Sequence, residues 1–238
     1  MLADLPAAAR SPYVVAVAAT KGGTGKTSIA TALAVESARR GLDVLLVDAD
    51  ARQRSAALWA AAREASPRIA CKVFTPPPPE SQTNPLLALR DLIGDRDLVL
   101  LDAGGADSRA LRAVLAVADL VLVPLRAGAF ELWSLDDLAG ILDALAVVRD
   151  APPPVVLVLN QAPAGKLADE ARALLEPYGA RPGWTLAHHV VRARVAWPRA
   201  GGSGLSPAEF DAPARADIDR LYDLLTGLGL PEPQETSE

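Results

Sequence analysis

The chain has 238 residues, and half of them are hydrophobic, which supplies a sizeable core and excludes a disordered chain. Its 24 Lys and Arg against 29 Asp and Glu leave a net charge of −5, so it is not basic all round, although a local basic patch remains open. The single cysteine, Cys71, excludes an internal disulfide framework and any all-cysteine metal site within one chain. No apolar run approaches the ~20 residues of a membrane-spanning helix. Met1 to Pro12 carries neither a basic start nor an apolar stretch, so no secretory signal is expected. Aromatics are 4% of the chain, so the core must come from Ala, Val, Leu and Ile.

In chain order, 13–19 (YVVAVAA) predicts a strand that runs into TKGGTGKT, and 27–40 a helix stopped by Gly41. Strands follow at 43–48 and 69–74, around a helix over 55–65. Four prolines, 76–79, mark an extended surface connection. A helix near 83–94 then leads to a strand ending at Asp102, and 119–125 is the next strand. Over 131–149 a helix is expected, with Leu132, Leu135, Leu138, Leu142 and Leu145 on one face. Residues 155–160 predict a strand, 165–177 a helix, 185–191 a last strand, 201–204 (GGSG) part of a long loop, and 208–227 a final helix. Several strands are continuous apolar runs, the mark of a parallel sheet covered on both faces. The expected fold is a single α/β domain with a mostly parallel sheet and helices on both faces, and the glycine-lysine-threonine loop at 20–27, between a strand and a helix, makes it a P-loop NTPase. It spans 12–229, between a short tail (1–11) and an acidic, frayed tail (230–238).

The chemistry concentrates at 20–27. A phosphate site needs backbone N–H groups converging on a concavity, close approach at glycine, and a helix N-terminus behind. Gly22, Gly23, Thr24, Gly25, Lys26, Thr27 and Ser28 supply that loop. Lys26 would reach the β- and γ-phosphates of ATP, and the Thr27 hydroxyl would ligate Mg²⁺. Asp102, after four apolar residues, suits a strand-end carboxylate that holds Mg²⁺ through water, with Gly104 and Gly105 as a flexible γ-phosphate sensor. Asp48 and Asp50 close another strand, where turn and helix-cap chemistry competes with a catalytic role. Lysine occurs only at 21, 26, 72 and 166, and arginine supplies the other cations. Two lysines inside one glycine loop are therefore needed there rather than incidental.

Position 20 is Thr where the standard P-loop has Gly, and Lys21 is added. The sequence KGGTGKT thereby resembles the deviant Walker A motif of the ParA/MinD class of ATPases. The resemblance implies that Lys21 reaches across an ATP-dependent homodimer to the partner's nucleotide. DADARQRS resembles the partition pattern D-x-D-P-Q-x-S, with Ala51 in place of proline and Gln53 and Ser55 one residue late. It implies that Asp50 activates the attacking water and Asp48 supports the Mg²⁺ shell, and it leaves Gln53 without an assured role. The segment ADLVLVPLRAGAFELWSLDDL resembles the small plasmid-partition members of the class, and Asn160 matches their adenine-contacting asparagine.

By that resemblance the function is a weak ATPase, stimulated by a ParB-like adaptor, that binds nonspecific DNA and segregates or positions plasmid or chromosome cargo. It would be cytoplasmic and nucleoid-associated. Arg181, Arg192, Arg194 and Arg199, with His188 and His189 among them and no acidic residue between 181 and 199, are the DNA-binding candidates. A solvated arginine face, or Arg194 paired within the core, is the plainer alternative. The same core could position a protein cargo (a chemoreceptor cluster or microcompartment) or serve cellulose synthesis. A metabolic P-loop ligase finds no substrate signature here. One cysteine argues against a cluster-bearing redox member, and the acidic tail against membrane binding. Trp133 and Trp197 read as packing residues, Trp133 alternatively as part of a dimer or partner surface.

Overall fold

The computed structural model describes residues 11–105, 107–128, 130–145, 149 and 151–233. Among these described residues seven strands form one sheet in the order β3-β2-β4-β1-β5-β6-β7. They are β1 Tyr13–Val17, β2 Val44–Asp48, β3 Ala70–Val73, β4 Leu98–Asp102, β5 Leu120–Leu125, β6 Val155–Leu159 and β7 Trp184–Leu186. Every pairing is parallel. The helices are α1 Lys26–Arg39, α2 Ser55–Ala62, α3 Pro85–Ile93, α4 Arg109–Val117, α5 Phe130–Leu145, α6 Lys166–Gly179, α7 Ala196–Gly202 and α8 Ala212–Thr226.

The continuous apolar strands are explained by two cores, one on each face. Alternate residues of β1 serve each: Val14 and Ala16 pack with α3 to α6, through Leu89, Leu111, Leu135, Leu138 and Leu175. Val15 and Val17 pack with α1, α2 and α8, through Leu33, Trp59, Ile218 and Leu221. Each fully buried Leu contributes about 1.5–3 kcal/mol. α1 lies against both the sheet and α8, which its run of small residues permits. It ends where Gly41 takes φ +97 and Leu42 N–H returns to the Ser37 carbonyl at 3.2 Å, a glycine stop.

Four expectations need correction. β7 is three residues long, so His188 and His189 lie beyond it rather than on a strand. The expected long loop contains α7, despite Pro198, Gly201 and Gly202. Pro198 falls in the first turn, where the missing N–H does no harm, and burial of Ala196 and Ala200 one turn apart fixes the helix. α8 begins at 212 because Asp211 caps it, its side chain accepting from Ala214 N–H at 2.8 Å. Residues 207–209 instead make a 3₁₀ turn closed by a Ser206–Glu209 capping box. Finally, Leu230 is buried, so the packed chain continues past 229. Residues 1–10 and 234–238 of the expected tails lie outside the described residues, as do 146–148 of the helix expected to reach 149.

Candidate functional site

All strands point the same way, so the loops after β1, β2, β4 and β6 meet at one end of the sheet, beside the place where strand order reverses around β1. They enclose a cleft of about 1070 Å³ lined by Gly22, Gly23, Gly25, Lys26, Thr27, Ser28, Asp50, Asp102 and Gly104, among others. The loop predicted to bind phosphate and two of the three predicted carboxylates thus share one cavity.

The loop is shaped by backbone requirements. Gly25, the N-cap of α1, has φ +88, and a Cβ there would sit 2.2 Å from Asn160 Nδ2. A Cβ on Gly105 would lie 3.1 Å from Gly22 N, so the β4 loop rests directly on the phosphate loop. Thr20, the residue that departs from the standard pattern, ties the loop to α5 through its hydroxyl on the Ser134 carbonyl at 2.9 Å. Lys26 is buried, and Nζ donates to the Lys21 carbonyl at 2.9 Å. Burial lowers its pKa, against the opposing pull of Asp102 and Asp50. Lys21 itself is exposed at the rim.

At the floor, the Thr27 hydroxyl donates to Asp102 Oδ2 at 2.6 Å. Burial pushes the Asp102 carboxyl up to about 7, with the Thr27 hydrogen bond opposing and Asp48 adding to the rise. Its other oxygen, Oδ1, is buried with no partner among the described residues. A buried, orphaned carboxylate oxygen beside a hydroxyl and a phosphate loop is the oxygen-donor set Mg²⁺ prefers, with the substrate and water completing it. These residues therefore fit the ion.

Asp48 faces Asp102 across β2 and β4 in register. Its oxygens accept from Asp50 N–H and Ala57 N–H, both at 3.0 Å, so it caps α2 while lying beside Asp102. Burial raises its pKa, and these backbone bonds oppose the rise. Asp50 Oδ1 accepts from the Arg52 and Gln53 N–H groups at 3.2 and 3.1 Å. Its Oδ2 faces Gly104, 3.5 Å from where a Cβ there would stand. The turn chemistry and the catalytic reading thus use different oxygens of one carboxylate. The extra residue of this turn is taken up before α2, where Arg54 adopts φ +52 and its N–H returns to the Asp50 carbonyl at 2.9 Å. Gln53 lines the cleft.

Asn160, buried at the end of β6, donates through Nδ2 to the Thr24 carbonyl at 2.7 Å. The loop contact is what the geometry displays for this residue. Sequence reasoning passed over its neighbour Gln161, which lines the cleft and donates to the Gly23 carbonyl at 3.3 Å. Adjacency to Asn160 was the available signal.

The four arginines are not brought together. Arg181 precedes β7, pairs with Asp143 at 3.5 Å and lies over Trp184, at the end of the sheet away from the cleft. Arg192, Arg194 and Arg199 follow β7 on the cleft side. The absence of acids between 181 and 199 is offset in space by Asp217 of α8, buried, which accepts from Arg194 at 3.2 Å and lies 3.7 Å from Arg220. Arg220, missed in the sequence, joins this group. Trp133 is 68% exposed, so it is a surface residue and not core packing.

A profile of the CobQ/CobB/MinD/ParA nucleotide-binding domain matches residues 15–208. The chain belongs to that family. It is 35% identical to Protein ParA of Rhizobium radiobacter over 118 residues, half the length of each chain. It is 31% identical to the chromosome-partitioning ATPase Soj of Thermus thermophilus, covering 75% of this chain and 82% of Soj. Identity is 27% to the maintenance of carboxysome distribution protein A of Halothiobacillus neapolitanus, over 92% of this chain and 97% of that one. Two solved structures share the fold. A plasmid partition protein of Borrelia burgdorferi bound to AMPPNP superposes with TM-score 0.71 at 15% identity, covering 92% of this chain and all of that one. MinD of Pyrococcus horikoshii complexed with Mg-ADP gives 0.67 at 14%, covering 92% and 98%. Among the described residues no helix is long and apolar enough to cross a membrane.

Proposed function

We propose that the chain is an ATP hydrolase that dimerises on ATP, binds DNA without sequence preference, and positions plasmid or chromosome cargo with a ParB-like adaptor. The observation that carries the reading is the Thr27–Asp102 pair, with its orphaned oxygen, set at the foot of a two-lysine phosphate loop. Lys26 exchanges its hold on the Lys21 carbonyl for the β- and γ-phosphate oxygens. Lys21, exposed at the rim, reaches the nucleotide of a second copy. Thr27 and Asp102, with Asp48 behind, would hold Mg²⁺, the aspartates through water, and the ion would supply charge to offset that developing on the transferred phosphoryl group. Asp50 orients the attacking water through the oxygen that faces Gly104. Gly104, beside Asp50, and Gly105, resting on Gly22, respond to the γ-phosphate. Asn160 borders the nucleotide as well as the loop.

Arg192 and Arg199 supply the phosphate-backbone contacts, with Arg194 held behind them by Asp217, and pairing two copies doubles the patch. Arg181 faces elsewhere and contributes least. The cytoplasm and the nucleoid are the corresponding location. The full-length likeness to a carboxysome distribution protein favours a second reading, in which the same cycle positions a protein assembly.

The deciding experiment measures binding to random-sequence duplex DNA with ADP and with a nonhydrolysable ATP analogue, wild type against Lys21→Ala, with oligomeric state read in the same samples. The reading expects an ATP-dependent dimer whose DNA affinity falls steeply with salt, and loss of both in the variant. A dimer without DNA affinity moves the cargo machinery to proteins. No dimer under any nucleotide removes the role of Lys21.

A further inference from the structure

Residues 160 and 161 end β6 in an unusual way. On a strand, consecutive side chains point to opposite faces. Here Gln161 takes φ +52, the left-handed region that a residue with a long side chain rarely enters. The chain then returns to a parallel bridge at Ala162 and Arg192. This single left-handed residue cancels the alternation, so both amides turn toward the phosphate loop. Asn160 Nδ2 donates to the Thr24 carbonyl at 2.7 Å and Gln161 Nε2 to the Gly23 carbonyl at 3.3 Å. Both converge on Gly25, where an added Cβ would lie 2.2 Å from the first nitrogen and 3.5 Å from the second.

A trans peptide is planar, and its C=O and N–H point in opposite directions. Holding the Thr24 carbonyl therefore sets the direction of the Gly25 N–H, and holding the Gly23 carbonyl sets that of the Thr24 N–H. The loop's glycines leave these peptides free to rotate unless something fixes them. Lys26, which holds the Lys21 carbonyl, is drawn off by phosphate, whereas an amide carries no charge to be drawn off. Strain in a left-handed residue persists where surrounding structure over-determines it, and such residues cluster at ligand clamps.

We propose that Gln161 is a positioning residue for nucleotide binding, holding the Gly23–Thr24 peptide of the phosphate loop in the orientation that binds phosphate. This deepens the ATPase reading and rests on it.

The test is calorimetric titration of ADP into the full chain as wild type, Gln161→Met and Gln161→Gly, with thermal unfolding of each without nucleotide. Met keeps the bulk and removes the donor. Gly removes the donor and also the left-handed strain. The expectation is a split in sign: Gln161→Gly unfolds at the same temperature or higher, yet both variants bind ADP about 3–10-fold more weakly, the worth of one hydrogen bond. A structural role alone would make affinity follow unfolding temperature. Wild-type affinity in either variant, or a loss in Gln161→Gly that tracks a lower unfolding temperature, overturns the positioning role. A wild type that binds neither ADP nor ATP overturns the ATPase reading itself, and this inference with it.

Discussion

Arg63 is completely buried at the C-terminal end of α2, and its replacement offers a test worked from geometry. Its guanidinium grips Glu209 with two bonds of 3.0 Å, donates to the Gly204 carbonyl at 2.9 Å and, through Nε, to the Pro67 carbonyl at 2.7 Å. Gly204 is pressed so close that a Cβ would meet Arg63 N at 2.4 Å. One turn earlier, Trp59 donates to the Leu205 carbonyl at 3.0 Å. Together these bonds dock the 204–209 segment on the helix whose other end is capped by Asp48. In Arg63→Met, Glu209 and two carbonyls lose their donor. Breaking a buried pair costs about 3–5 kcal/mol. Glu209 retains the Ser206 N–H, and its side chain is 14% exposed, so the low end, about 3 kcal/mol, applies. At about 2–4 °C per kcal/mol for a chain of this size, the unfolding midpoint should fall by about 6–12 °C. Glu209→Gln, which keeps oxygen and shape, should lose less than half of that. Scanning calorimetry with a urea titration reads both. A drop under about 2 °C for Arg63→Met would refute the reasoning and recast the pair as a solvated contact. Because α2 carries Ala57, the partner of Asp48, the variant should also weaken nucleotide affinity.

Two further outcomes are expected. Gly25→Ala places a side chain on a φ of +88 and against Asn160, so it should cut ADP affinity at least about tenfold and lower the unfolding temperature, as titration and thermal melts would register; unchanged affinity would mean that the loop can rearrange around a methyl group. His189 has its pKa lowered by burial, then by Arg220, with Asp217 opposing. The unfolded chain then binds its proton more readily. Stability from this residue is present above about pH 6.5 and is lost as pH falls through that value toward the folded pKa. His189→Gln should flatten the stability profile below about pH 6.5 in denaturant titrations, and a profile identical to wild type would exclude His189 as its source.

What the chain discloses by itself is local. The five central strands are runs whose residues are apolar on both sides, and a parallel sheet covered on both faces is the arrangement that buries them. The phosphate loop is a contiguous string of glycines, lysines and a threonine, so its spacing is visible without any fold. Asp48 and Asp102 end their strands, and parallel register brings such ends together. Everything else depends on residues distant in sequence. α7 exists because Ala196 and Ala200 are buried, against the propensity of Pro and Gly. Arg63 and Glu209, 146 positions apart, cannot be paired from composition. The stretch from 181 to 199 has no acid of its own, but the sheet separates Arg181 from the others and α8 delivers Asp217 to Arg194. Gln161 reads as the end of a strand until its left-handed turn, which only the meeting of β6 with a loop 138 residues earlier accounts for. Periodicity and motif report what neighbours along the chain require, whereas charge balance and peptide orientation are decided by whichever distant group the fold sets opposite.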